Sequence, residues 1–318
     1  MLRQFVMRVL ELLAVLLLVS FGVSWILSRT PGGDPAIAVL GEGRAPEEYE
    51  ALREEMGLND PFLTRYFDWL GGILHGDFGM SLTPPVMPVW DRLWAAIPVS
   101  LELAGLGLLL ALVFSVPLAM WAAYNEGGRI DRTIGAMTFG LLSIPSFLAG
   151  LILISVAVNS LGWFPRTGWV RITDDFLGNL SHVFLPALTI ALMELAMFTR
   201  ILRNDLVTTL HEDYILAARA KGMPPVRIMF SDALRPSSFS LVTILGLSIG
   251  RLVGSTVIVE YLFALPGMGG LIVQAANQKN LPMVQGAVLL VATIYVITSA
   301  LIDLSYGYLD PRTRRARA

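Results

Sequence analysis

The chain has 318 residues, of which 55% are hydrophobic and 15% are charged, and its formal net charge is −2. This composition excludes a soluble domain, because apolar runs of about 18 or more residues are typical of membrane spans. Without cysteine there is no disulfide framework, thiolate nucleophile or cysteine-based metal site, and the three histidines are scattered singly.

Six apolar runs predict an all-α polytopic membrane protein with six transmembrane helices. They cover residues 10–27, 97–124, 134–158, 183–198, 239–263 and 284–302. About 20 helical residues cross roughly 30 Å of hydrocarbon. The first run follows Arg3 and Arg8 as a signal peptide would, but no small-residue cleavage site comes after it. We therefore expect the first run to be a retained span.

The distribution of lysine and arginine predicts the orientation of the chain in the membrane. With a cytoplasmic N-terminus, fourteen of the 23 basic residues fall inside, eight fall outside, and Arg251 lies within a span. Cytoplasmic loops carry an excess of these residues, so both termini are expected to be cytoplasmic.

The predicted spans and their orientation divide the chain into three parts. Residues 1–94 hold the first span and an external helical region, residues 95–310 a core of five spans with a cytoplasmic loop at 203–236, and residues 311–318 a basic cytoplasmic tail. Helices are expected to begin at Pro46 and at Asp60-Pro61. The external region has a net charge of −7, which suits either a solvated cap or a docking rim for an external partner.

The fifth run contains two overlapping G-x-x-x-G patterns, formed by Gly246, Gly250 and Gly254. Glycine at every fourth position predicts close helix packing. The same stretch places Ser248 in a G-x-S-x-G sequence, which resembles the nucleophile elbow of hydrolases. That elbow needs a strand-to-helix turn, so close packing is the better explanation within a membrane helix.

The 203–236 loop predicts two short helices separated by a break at Gly222 and Pro224-Pro225. In the second helix, an apolar stripe is expected at helical spacing: Val226, Met229, Phe230 and Ala233. In the first helix, one side combines small residues with Tyr214 and Lys221, which suits a groove on another protein with acids on its rim. Alternatively, the loop's cations only follow the positive-inside rule.

The first helix resembles the EAA-loop signature of the membrane permease subunits of ABC importers. Leu216 stands where the signature has glutamate, and the string Ala218–Gly222 is typical of the peptide and nickel branch. Further stretches resemble that branch in the family's order: 31–35, 74–79, Glu260 with 266–269, 282–286 and 309–312. The resemblance implies an ABC type I importer permease fold. It also implies an ATPase-docking coupling helix formed by Asp213, Tyr214, Ala217, Ala218, Arg219, Ala220, Lys221 and Gly222.

The resemblance further implies the partners and the place of the chain. These are a second homologous permease in a heterodimer, two cytoplasmic ATPases and an external substrate-binding protein, in the bacterial inner membrane. The chain has no G-x-x-x-x-G-K-[ST] loop, so ATP and Mg²⁺ are expected on the ATPase chains. We expect no cofactor in this chain, no catalysis by it and no nucleic acid partner.

The implied function is to form half of a translocation path for di- or oligopeptides. Nickel, glutathione and oligosaccharides are alternative substrates within the same branch. A stand-alone secondary transporter is a remote alternative, and it would predict an internal repeat that the two halves do not show.

Charged residues within the spans are candidates for the translocation path: Glu102, Glu194, Arg251 and Glu260. Arg251 is hypothesised to face this path and to contact a substrate carboxylate or a polar gate. The alternative is a cation buried against the partner permease. Arg251 and Glu194 are expected to differ in depth by about 10 Å, so direct pairing would need helix tilt. Glu102 and Glu260 lie near span ends, where a structural role is equally expected.

Overall fold

The computed structural model describes residues 2–29, 35–41, 43–165 and 167–309. Within these ranges the chain forms helices and no β-strand, apart from an isolated bridge between Met80 and Pro88. This all-α architecture agrees with the prediction. The motif residues at 31–34, the motif from Asp310 onward and the predicted tail at 311–318 lie outside the described residues.

Thirteen α-helices follow one another along the described chain. They are α1 (Leu2–Arg29), α2 (Pro35–Leu40), α3 (Pro46–Glu55), α4 (Phe62–Leu74), α5 (Val89–Tyr124), α6 (Arg129–Ser143), α7 (Ser146–Leu153), α8 (Phe176–Leu210), α9 (Asp213–Ala220), α10 (Pro225–Arg227), α11 (Leu234–Leu262), α12 (Met268–Asn277) and α13 (Leu281–Leu309). Helix α7 continues as a π-helical segment, Ile154–Ser160, and a second π-helical segment, Ile228–Ala233, joins α10 to α11.

The two helices predicted between the first and second spans are present, and their external location stays a prediction. Helix α3 begins with Pro46 at its first position and has two glutamates in its first turn, where they complement the helix dipole. It ends before Gly57, whose φ of +62° is a backbone conformation that glycine adopts without strain. Helix α4 begins directly after Pro61.

Contacts divide the chain into two compact units, one of residues 1–100 and 266–297 and one of residues 101–265 and 298–318. The core of the first unit forms where the start of α5 packs with α12 and the start of α13. Its buried side chains are Val89, Leu93, Ala96, Met268, Ala275, Met283, Val284 and Ala287. The sequence-based division at residue 94 concerns membrane organisation and stays a prediction.

Also in the first unit, Asn280 fastens the loop before α5 to the turn between α12 and α13. Its amide nitrogen donates to Ser81 Oγ at 2.8 Å and to Thr83 Oγ1 at 3.0 Å. Its Oδ1 accepts from the backbone N–H of Leu82 at 3.3 Å. The side chain is 1% exposed, so these bonds satisfy a buried amide and hold the loop in one conformation.

The third predicted span is not a single helix, which corrects the expectation for residues 134–158. Helices α6 and α7 meet at an angle of 100°. Pro145 has no N–H to continue the helix and disfavours helical geometry in the residue before it; accordingly, Ile144 has an extended ψ of 121°. Among the described residues, five helices are long and apolar enough to cross a membrane, or six if the bent pair is one span.

Helix α8 is the element against which the second unit is assembled, because α6, α7 and α11 all pack on it. It has 35 residues, and Asp175 caps it by accepting a hydrogen bond from Leu177 N at 3.0 Å. Helix α7 approaches α8 and α11 closely at Gly150, where a larger residue would not fit. A Cβ at Gly150 of α7 would lie 2.7 Å from Leu262 Cδ2 and 3.2 Å from Thr189 Cγ2.

Candidate functional site

The break predicted in the 203–236 loop is confirmed. Helix α9 ends at Ala220, and Gly222 follows with a φ of +77°. This left-handed residue turns the chain so that Gly222 N donates to Arg219 O at 2.9 Å and Met223 N donates to Ala218 O at 3.2 Å. The last carbonyls of α9 are thereby satisfied before Pro224 and Pro225 start the next helical piece.

Buried apolar residues anchor this loop within the second unit. Ile215 of α9 is fully buried, as is Ala233 at the end of the π-helical segment. Ile228 and Met229 are also buried. The anchoring leaves the other side of α9 in contact with solvent. Its exposed or half-buried residues are Asp213, Tyr214, Leu216, Ala217, Ala218, Arg219, Ala220 and Lys221.

The apolar stripe predicted on the second piece is split between two faces, which corrects that expectation. Met229 and Ala233 are buried, whereas Val226 and Phe230 are exposed. The cause is the wider turn of the π-helical segment Ile228–Ala233, in which hydrogen bonds run from i to i+5 and residues three apart, such as Phe230 and Ala233, no longer share a face. With Leu216, which is also exposed, these side chains give the loop apolar surface that the sequence reasoning missed.

A cavity of about 450 Å³ lies beside the loop within the second unit. Residues from the end of α5, the end of α8 and the loop line it, including Tyr124, Leu210, Arg219 and Met223. At its edge, His211 Nε2 lies 3.5 Å from Glu126 Oε2. Arg219 therefore faces a polar cavity, on a different side of α9 from Tyr214 and Lys221.

Tyr214 connects α9 to the second piece of the loop. Its hydroxyl donates to the backbone carbonyl of Asp232 at 3.4 Å. Partial burial raises the pKa of Tyr214 above its ordinary value, and the nearby carboxylates of Glu212 and Asp232 raise it further. The phenol therefore stays protonated at physiological pH and can act as this donor.

An ion pair that the sequence reasoning did not predict joins the start of α6 to α8. Arg203 donates from Nε to Asp131 Oδ1 at 3.0 Å and from Nη2 to Asp131 Oδ2 at 2.6 Å. This two-bond geometry is the strongest that arginine and a carboxylate form. The hydrogen bonds from Arg203 hold the pKa of Asp131 below its usual range. Asp131 and Arg203 are 72 residues apart in the chain, so no local sequence pattern indicated their contact.

Glu194 and Arg251 form a direct ion pair between α8 and α11. Arg251 Nη2 donates to Glu194 Oε1 at 2.6 Å, and Ser248 Oγ donates to Glu194 Oε2 at 2.7 Å. The depth difference of about 10 Å was counted from the end of the apolar run at 183–198, whereas α8 continues to Leu210. Ser248 thus serves as a hydrogen-bond donor to a carboxylate, in a continuous helix unlike a nucleophile elbow.

The other two path candidates lie apart from this pair. Glu102 is half-buried and shares a side-chain hydrogen bond with Asn179 of α8. Glu260 is fully buried in α11. The roles of all four residues in a translocation path stay predictions. In the described part of the chain, no group of three or more His, Cys, Asp or Glu residues could hold a metal ion.

The glycines of the fifth run lie on α11. Gly246 and Gly250 are buried. Ser248 and Leu252 are also buried but lie on roughly the opposite side of the helix, because residues two apart are about 200° apart around the helix axis. Their role in helix packing stays a prediction, and the surroundings of Gly254 lie outside the described residues.

Comparison with known families assigns the class of this protein. The family described as binding-protein-dependent transport system inner membrane component matches residues 115–315, and the N-terminal part of such membrane components matches residues 1–104. The chain belongs to this family. It is a multi-pass inner membrane protein and a transport permease subunit, in a class of system that uses a substrate-binding protein and an ATPase.

Three relatives show how far the similarity extends. The oligopeptide transport system permease protein AppB of Bacillus subtilis (strain 168) is 34% identical over 91% of this chain and 92% of its own length. The di/tripeptide transport system permease protein DppB of Pseudomonas aeruginosa (strain UCBPP-PA14) is 32% identical over 96% and 98%. The dipeptide transport system permease protein DppB of Escherichia coli (strain K12) is 32% identical over 90% and 91%.

Proposed function

We propose that this chain forms half of the translocation path of an ABC importer for di- or oligopeptides. The observation that carries the proposal is the similarity to relatives named as peptide permeases, which extends over 90% or more of this chain. A match across nearly the full length includes the membrane spans and the cytoplasmic loop together. It therefore supports the same subunit type and the same class of substrate.

The 203–236 loop is the part that would receive the work of ATP hydrolysis. Helix α9 presents Tyr214, Ala217 and Lys221 outward, while Ile215 anchors it to the rest of the second unit. Exposed Leu216, Val226 and Phe230 add apolar surface that a docking groove can cover. A loop that is exposed on one side and anchored on the other can transmit displacement from an ATPase to α8 and α11.

The proposed assembly contains a second, homologous permease of different sequence, two ATPase subunits and an external binding protein. The ATPases bind ATP and Mg²⁺, since this chain has no nucleotide-binding loop of the G-x-x-x-x-G-K-[ST] form. In this assignment the chain holds no cofactor and catalyses no reaction of its own. Its task is to open and close the path.

Reconstitution tests the proposed function. A tagged chain is purified with the subunits that accompany it, placed in proteoliposomes and supplied with its binding protein and a labelled dipeptide or pentapeptide. We expect peptide uptake that requires both ATP and the binding protein. Nickel, glutathione and an oligosaccharide, measured in parallel, identify another substrate class if one of them is imported instead. Uptake driven by an ion gradient without ATP would overturn the proposal.

A further inference from the structure

Arg251 combines an exposed side chain with a position deep in a long apolar helix. It lies 17 residues from the start of α11 and 11 from its end, which corresponds to about 26 Å and about 17 Å along the helix. Its side chain is 55% exposed, between the exposed apolar side chains of Leu247 and Ile258. A charged group so placed is expensive unless it meets water or an acceptor.

Glu194 satisfies only part of the guanidinium group. The carboxylate is 6% exposed and uses one oxygen for Arg251 and the other for Ser248. In the described part of the chain, the hydrogen bonds of Arg251 all come from Nη2, which also lies 3.3 Å from Ser248 Oγ and 3.9 Å from Met197 Sδ. The Nε and Nη1 atoms carry three of the five N–H donors of the guanidinium group, and in a side chain that is 55% exposed they can bind a further acceptor.

The chemistry of these donors selects a planar anion. Guanidinium groups bind carboxylates through parallel N–H donors, more strongly than they bind neutral acceptors. A phospholipid phosphate at the end of the helix is too distant, because an arginine side chain reaches only about 7 Å and Arg251 lies about 17 Å from the nearer end of α11. A carboxylate that travels along the path meets both requirements.

We infer that Glu194 and Ser248 position Arg251 to bind the C-terminal carboxylate of the peptide during its passage. The inference rests on the proposed function, since it assumes that peptides are the substrate. Glu194 and Ser248 are positioning residues, and Arg251 contacts the substrate. Because Glu194 already neutralises one charge, the carboxylate is held weakly and can leave, as passage through a membrane requires.

The test compares two labelled dipeptides that differ only at the C-terminus, one a free acid and one an amide. The binding protein is saturated with each peptide, so that its own preference is the same for every permease variant. We expect the wild-type complex to import the acid about tenfold faster than the amide. The double variant Glu194→Gln/Arg251→Gln removes both charges but keeps hydrogen-bonding groups in place, and it should import both peptides at similar rates.

Two further variants test the hydrogen bond from Ser248 to Glu194 and the planar shape of the guanidinium group. Ser248→Ala removes one donor to Glu194, so the ratio of the acid rate to the amide rate should fall. Arg251→Lys keeps the charge without the planar donor group and should keep part of the preference. If the double variant retains the wild-type preference, or if it no longer assembles with the second permease, the inference is wrong. If the wild-type complex imports neither peptide, the proposed function itself fails.

Discussion

The ion pair between Asp131 and Arg203 shows how a single contact joins the start of α6 to α8 in the second unit. Both side chains are mostly buried, with 13% and 26% exposed, so solvent screens the pair only in part. Asp131 also accepts a hydrogen bond from Gly127 N at 2.9 Å, which fixes the turn before α6. The Asp131 carboxylate therefore connects the turn before α6, the start of α6 and α8.

The depressed pKa of Asp131 predicts a pH dependence of stability. Because the folded pKa lies below the ordinary carboxyl value of about 3.9, the stabilisation is complete above that value and is lost as pH falls through the folded pKa. Asp131→Asn should cost on the order of 2 kcal/mol at pH 7. In thermal unfolding of the detergent-solubilised protein, we expect its difference from wild type to shrink as pH falls below about 4.

Arg200→Gln is the matched control for this pair, since Arg200 is an exposed cation one turn away on α8. Its unfolding midpoint should stay within about 1 °C of wild type across the pH range, as surface substitutions have small effects. An Asp131→Asn difference that stays constant down to pH 3 would rule out the ion pair as its source.

Gly222 supports a second prediction at the scale of one residue. A Cβ at this position would meet no atom within 4 Å, so only the positive φ of +77° resists substitution. Gly222→Val should distort the end of α9 and uncouple ATP hydrolysis from transport, because a β-branched residue is strained in this conformation. The readout is the number of ATP molecules hydrolysed per peptide imported by the reconstituted complex.

Gly222→Asn provides the comparison, because asparagine tolerates the left-handed conformation. It adds a side chain of similar size but leaves the turn intact, so coupling should be retained. Normal transport by the valine variant would show that the turn at Gly222 does not transmit force.

Among the elements, the bent pair α6–α7 depends on both a proline and a close contact. Pro145 interrupts the helix, and Gly150 then lets α7 approach α8 and α11. The proline is visible in the sequence, whereas the 100° angle is not. The angle follows from packing between residues that are distant in the chain, such as Gly150 and Leu262.

A pair of leucine substitutions tests this packing. Gly150→Leu should lower the unfolding midpoint by several degrees, because its side chain overlaps Leu262 and Thr189. Gly140→Leu on α6 adds the same group where no atom lies within 4 Å and should leave the midpoint unchanged or slightly higher. Equal midpoints for the two variants would contradict the close approach of α7.

The whole chain lacks cysteine, which makes its membrane topology directly measurable. If the bent pair α6–α7 is one span, Thr173 before α8 lies outside and Glu212 before α9 lies inside. Thr173→Cys should then react with a membrane-impermeant maleimide added to intact cells, whereas Glu212→Cys should react only after the cells are opened. If Thr173→Cys is not labelled in intact cells but is labelled in opened cells, the bent pair is a re-entrant loop.

The sequence predicted those features that depend on neighbouring residues. The apolar runs other than 134–158, the starts at Pro46 and Pro61 and the stop before Gly222 follow from local geometry, and the structure has them. The split of Val226 and Phe230 from Met229 escaped prediction, because a π-helical segment arises from packing and has no sequence period of its own. Contacts between distant residues, such as Asp131 with Arg203, could not be read from spacing at all.

The length of α8 has a mechanical consequence for the whole molecule. The helix is about 52 Å long, and Glu194 lies one residue from its midpoint. A tilt of about 10° around that midpoint would move the ends by about 4.5 Å but Glu194 by only a few tenths of an ångström. The central ion pair with Arg251 can therefore act as a pivot that survives the movement, while contacts near the ends of α8 break and reform.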